Sequence, residues 1–207
     1  MMPNRPYIYT QELDEKTTND LDAIVVQKTE DKEKGIIDEW MNKYSNSTDV
    51  RVSVNKSEST RKVIDVVRVH FENSGISVDP NDGYITYVSY EYNSSKYIPY
   101  DDWVENIYCA NEALTNVHEC IIVTRKDENL KDGNMEVYNK NPNTFFHLIG
   151  YEQEERDVYE LTTGKIMIWK GDVHHKLQEF AGNGVFNFII VTLREDNEYE
   201  DNESKRN

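Results

Sequence analysis

Apolar residues follow two rhythms along the chain, and the change comes near residue 83. Before it, segments are long and mixed. "DAIVVQKT" (22–29) has a short β-branched apolar centre and predicts a strand. In "DKEKGIIDEWMNKYSNS" (31–47), Ile36, Ile37, Trp40, Met41 and Tyr44 recur at helical spacing, which predicts an amphipathic helix. "DVRVSVN" (49–55) alternates valine with polar residues, as a half-buried strand does. "STRKVIDVVRVHFENSG" (59–75) predicts a second helix, with Ser59 as its cap and Gly75 as its stop. Its face would carry Val63, Val66, Val67 and His70, the histidine being a helix-surface or helix–sheet contact residue.

From residue 83 onward the runs shorten. "GYITYVSYEYN", "VHECIIVTR", "GNMEVYNKN", "TFFHLIGY", "DVYELTT", "GKIMIWKG" and "GVFNFIIVTL" are alternating or wholly apolar, and Gly, Asn, Asp and Pro break them. Many short strands with frequent turns predict an antiparallel sandwich or barrel. The fold class expected is therefore α+β, one domain over residues 21–194, with a helical prelude (21–82) and a β core (83–194). Residues 1–20 are polar and read as a flexible N-terminal segment. Residues 195–207 read as an acidic disordered tail.

Composition narrows the partners. Apolar residues make up 37% of the chain and charged residues 30%, with 39 acidic against 23 basic side chains and a net charge of −16. Nucleic acid and anionic membranes are both approached through Lys and Arg, so neither is an expected partner. A protein or peptide partner is expected instead, and the oligomeric state is left open. The N-terminus has no apolar signal core, and no apolar run reaches the about 20 residues that span a bilayer. Two cysteines, Cys109 and Cys120, form no tight pair, so a soluble cytoplasmic protein is expected. Abundant Asn, Lys, Asp, Glu, Ile and Tyr suit an AT-rich genome, such as that of a virus or a protist. In a virus, the host cytoplasm or the virion would be the place, and a host-interaction role would follow.

Three ordered motifs in the β half resemble a known family. "SKYIPYDD" supplies Ser95, Tyr97, Tyr100 and Asp102 at the spacing of a Gly-x-Phe-x-x-His-x-Asp strand end. "CIIVTRKDENLKDGNMEVY" (120–138) has the form of an apolar strand, a turn and a Gly-led strand start. "GKIMIWKGDVHH" begins at Gly164, has Trp169 at an aromatic position and ends at His175. Together they resemble the Fe(II)- and 2-oxoglutarate-dependent dioxygenases, in particular the prolyl-4-hydroxylase-like branch. The resemblance implies a double-stranded β-helix (jelly-roll, cupin-like) core with the N-terminal helices packed on one sheet. It implies Fe(II) and 2-oxoglutarate as cofactors. Two imidazoles and one carboxylate would hold the metal on one face, leaving the other open. Carried over residue by residue, Asp102 and His175 are the matching ligands.

Two positions depart from that pattern. Tyr100 stands where the first histidine belongs, and a phenol with a pKa near 10 is a poor ligand at neutral pH unless the metal deprotonates it. Ten residues beyond His175, where a cation would pair with the far carboxylate of 2-oxoglutarate, stands Val185, followed by Phe186. The first expectation is thus a diverged, catalytically impaired protein of this fold acting as a binding or structural protein. The second is an active hydroxylase with an altered triad of Asp102, His175 and either Tyr100 or a stray histidine. Lys96, Arg125 or Lys165 would then hold the cosubstrate, and Tyr92 belongs to a tyrosine cluster able to line the cleft.

Other candidates are weaker. His118 or His147 would replace the missing imidazole if either faced the cavity, and His118 with Cys109 and Cys120 would suggest zinc. "GKIMIWKGDVHH" also approximates a cupin box, without the paired histidines of the first box. No nucleophile elbow, phosphate-binding loop or dinucleotide fingerprint is present.

Overall fold

Asp14 sets the start of the first helix: its carboxylate accepts the backbone N–H of Thr17 at 2.9 Å and the Thr17 hydroxyl at 2.6 Å. Helix α1 (Glu15–Glu30) follows, with Thr18, Leu21, Ile24, Val25 and Lys28 buried along one side. The strand expected over 22–29 is therefore a helix, because its apolar residues extend an i, i+3, i+4 stripe that begins upstream. Helix α2 (Glu58–Ser74) is capped by Ser57, not Ser59. Ser57 and Thr60 form a reciprocal capping box, and Gly75 closes the helix in the left-handed conformation at φ 74°. The computed structural model describes residues 7–30, 46–55, 57–94, 116–138, 156–171, 173 and 175–196. The helix expected over 31–47 lies outside these, except that Asn46 and Ser47 begin a strand.

The strands are β1 (Ile8–Glu12), β2 (Asn46–Ser53), β3 (Val78–Ser94), β4 (Val117–Lys126), β5 (Leu130–Asp132), β6 (Met135–Tyr138), β7 (Arg156–Tyr159), β8 (Lys165–Lys170), β9 (His175–Leu177) and β10 (Phe180–Glu195). The large antiparallel sheet runs β1-β8-β4-β10-β3-β2, with β5 joined to the start of β10, and a smaller sheet runs β7-β6-β9. Residues 8–12, expected within a flexible segment, pair in register with Trp169–Lys165 of β8. The run "TFFHLIGY" lies outside the described residues.

Two apolar layers flank the large sheet. Alternate residues such as Ile85, Tyr87, Cys120, Ile122, Ile166, Ile168, Ile189 and Val191 meet Val25 of α1 and Val63, Val67 and Phe71 of α2. The opposite set, including Tyr90, Ile121, Val123, Met167, Trp169, Phe186 and Phe188, meets Met135, Val137 and Leu177 of the small sheet. The order is helices, large sheet, small sheet: the α+β jelly-roll with helices on one sheet. His70 is indeed a helix–sheet contact, its Nδ1 lying 3.1 Å from the Tyr9 hydroxyl of β1.

A β-bulge interrupts β4. Asn187 is opposite Arg125 and Phe188 opposite Val123, so Thr124 is the extra residue. Its hydroxyl bonds Asp22 of α1 at 2.8 Å, and Asn187 Nδ2 donates to the same carboxylate oxygen at 2.9 Å. Past the bulge the alternation is reset, and Lys126 rather than Arg125 lies on the roll side.

Candidate functional site in the roll

β9 is three residues long and brings His175 into the roll opposite Val137. The ring is 7% exposed. Its Nδ1 lies 2.9 Å from the Val173 carbonyl, the contact of an N–H donor with an acceptor. That fixes the tautomer and turns Nε2 toward the large sheet, where Glu119 Oε2 lies 3.6 Å away. The Trp169 ring stacks obliquely against the imidazole, 4.6 Å between centroids, and its Nε1–H donates to Glu119 Oε2 at 3.1 Å. Glu119 faces Trp169 of β8 on one side and Thr192 of β10 on the other. Thr192 is 4% exposed, and its hydroxyl has no hydrogen-bond partner among the described residues.

The remaining sequence candidates are scattered. Asp102, Tyr100, Lys96, His147 and Cys109 lie outside the described residues. Tyr92 is buried in the roll, its ring edge-on to Phe180 at 5.7 Å. Arg125 lies at the surface, paired with Asp127 at 2.8 Å, and Lys165 pairs with Glu12 of β1 at 2.8 Å. Both cations are thus committed elsewhere. Val185 is half-buried on the face opposite Phe186, and its backbone N–H donates to Asp127 Oδ2 at 2.9 Å. The roll-side position belongs to Phe186, enclosed by Phe180 at 5.5 Å and Phe188 at 5.1 Å. His118 and Cys120 fall on the helix side of β4, opposite to Glu119, and His118 Nε2 is 3.9 Å from Glu195 of β10. His118 therefore does not supply an imidazole beside His175.

Lys126 and Glu119 were not legible as candidates. The Lys126 amine lies 5.4 Å from the Phe186 ring centre and donates to the Leu161 carbonyl at 2.8 Å. Burial holds it below its ordinary value of 10.5. Only the bulge and the sheet register place these two side chains, and neither feature shows in the residue pattern.

No protein-family model matches the sequence, and no curated protein does. Solved structures do match. A prolyl-4-hydroxylase from Pseudomonas putida superposes with a TM-score of 0.53 at 7% identity, over 92% of this chain and 94% of that one. The non-heme alpha-ketoglutarate-dependent carbocyclase SnoK of nogalamycin biosynthesis gives 0.59 at 12% identity, over 98% and 87%. The epimerase SnoN, in complex with Fe3+, alpha-ketoglutarate and nogalamycin RO, gives 0.60 at 12% identity, over 92% and 80%. The fold is that of the Fe(II)/2-oxoglutarate dioxygenases.

The residues that the dioxygenase fold brings together suit its two cofactors unequally. An imidazole anchored through Nδ1 with Nε2 turned to a carboxylate is a donor set that suits a divalent metal, and on the strand adjoining Glu119 the Thr192 hydroxyl has no partner among the described residues. When bound, iron would supply redox chemistry there. Val185, where the resemblance expects the cosubstrate's cation, turns to the opposite face, and its roll-side neighbour Phe186 is an enclosed phenyl ring that offers a dicarboxylate no charge of its own. Among the described residues no three His, Cys, Asp or Glu side chains come together.

Proposed function

We propose that this chain is a dioxygenase-fold protein that acts as a binding or structural protein without turning over 2-oxoglutarate. Phe186 carries the reading. It is fully buried, it follows Val185, where the resemblance expects a cation, and its ring packs on Phe180 and Phe188. With the Lys126 amine held on the Leu161 carbonyl, seating a carboxylate against such a wall would cost several kcal/mol of desolvation. The test is succinate formation by the full-length protein, supplied with Fe(II), 2-oxoglutarate, ascorbate and oxygen. Background-level succinate is expected, and sustained release that disappears in His175→Ala ends the reading.

One observation favours an active enzyme instead. Lys126 brings an ammonium from the neighbouring strand to the Phe186 position, where it could hold the far carboxylate after leaving the Leu161 carbonyl. Calorimetry of 2-oxoglutarate binding in the presence of Mn(II) separates the two readings. Binding that falls at least tenfold in Lys126→Met supports the enzyme, and no measurable binding removes it.

A further inference from the structure

His175 Nε2 and Glu119 Oε2 face each other inside the roll, 3.6 Å apart. At 3.6 Å, Nε2 and Oε2 are too far apart for a good hydrogen bond, which for nitrogen and oxygen falls at about 2.7–3.2 Å. The same separation suits two donors to one ion: with each bond about 2.1 Å long, they subtend roughly 120° at the metal. Each donor is also aimed from behind. The Val173 carbonyl takes the proton on Nδ1, which leaves Nε2 as the ring nitrogen available to an ion, and the Trp169 indole N–H steadies the carboxylate. Beside Glu119, on the adjoining strand, the buried Thr192 hydroxyl has nothing to bond among the described residues. An imidazole Nε2 facing a carboxylate oxygen, with an unsatisfied hydroxyl on the strand adjoining that carboxylate, is the arrangement a cation or its bound water would complete.

We propose that Glu119 and His175 form a divalent-cation site on the inner face of the large sheet, with the Thr192 hydroxyl bonded to a water of the ion's shell. Glu119 on β4 is thus a carboxylate of that site that the sequence motif does not suggest. This assignment rests on the packing of the roll and not on the absence of turnover, so Mn(II) binding and succinate release can succeed or fail independently.

The probe is Mn(II) added to the full-length, 15N-labelled protein. The Trp169 indole N–H, assigned by Trp169→Phe among three tryptophans, is expected to broaden selectively at substoichiometric Mn(II) and to be restored by a chelator. By calorimetry, Glu119→Gln and His175→Ala should each weaken Mn(II) at least tenfold. Asp102→Asn should weaken it less than threefold, and Thr192→Val should weaken it mildly while the fold stays intact. Mn(II) that binds without broadening Trp169 has gone to the acidic surface, and the proposal fails. It fails equally if no binding is seen, or if Asp102→Asn removes the ion while Glu119→Gln keeps it.

Discussion

Replacing Phe186 by alanine tests the wall that the functional reading depends on. The side chain is fully buried at the centre of β10, with Phe180 edge-on, Phe188 tilted against it and the Lys126 amine above its face. Truncating an enclosed phenylalanine costs about 3–5 kcal/mol from lost transfer energy and the cavity left behind. The aromatic pairs and the cation over the ring push the figure toward the upper end. A loss of about 4 kcal/mol would lower the melting temperature of a domain this size by roughly 8–16 °C. In urea, with a slope near 2 kcal/mol/M, the midpoint would fall by about 2 M. Phe186→Leu, which keeps most of the volume, should cost less than about 1.5 kcal/mol. Matched urea titrations of the three proteins, followed by tryptophan fluorescence, give both numbers. A Phe186→Ala loss below about 1.5 kcal/mol would mean that the ring is not enclosed. The space beside it would then be open to a ligand, and the case against 2-oxoglutarate would fall with it.

Three further outcomes are expected. A Cβ on Gly182, at φ 122°, would meet the Asn129 carbonyl oxygen, whereas one on Gly75, at φ 74°, meets nothing; Gly182→Ala should therefore destabilise several-fold more than the roughly 1 kcal/mol expected of Gly75→Ala, and similar midpoints would refute the close approach. Cys120 is buried and its thiol is pushed well above 9.0 by burial, so in a Cys109→Ser background it should react with a thiol reagent only as fast as the domain unfolds, and prompt labelling would contradict its placement. Lys126 is held below 10.5 by burial, so just under that value the unfolded chain binds the proton that the folded one releases. Unfolding free energy gained from this group rises with pH across that window. Subtracting the Lys126→Met curve from the wild-type one isolates the term, because Cys120, which acts in the opposite direction, is common to both; a flat difference would place the amine in water.

Much of the fold was written in the apolar pattern, and the failures have local causes. β2, α2, β3, β8 and β10 follow their predicted periods because each buries one continuous face or both faces. α1 was misread since four consecutive residues, "AIVV", outweigh a stripe whose first members, Thr18 and Leu21, lie upstream among polar residues. β1 escaped because "IYTQE" is an edge strand with no fully buried residue, so its sequence lacks an apolar face. In the roll, His175 was named through its motif, while Glu119 in "VHECIIV" carries no sequence signal. Its significance depends on strand register: only the pairing of β4 with β8 and β10 sets it between Trp169 and Thr192. Lys126 could not be picked from the sequence, because strict alternation continues the roll-facing set of Ile121 and Val123 to residue 125.

The single unpaired residue at Thr124 thus acts as a parity switch. Two adjacent cations, Arg125 and Lys126, compete for one inward slot, and the kink that Asp22 holds from the helix layer awards it to the lysine. Ironing out that kink would send the ammonium to solvent and drive a guanidinium into the aromatic wall. A helix carboxylate some distance from any ligand therefore decides the electrical character of the hollow.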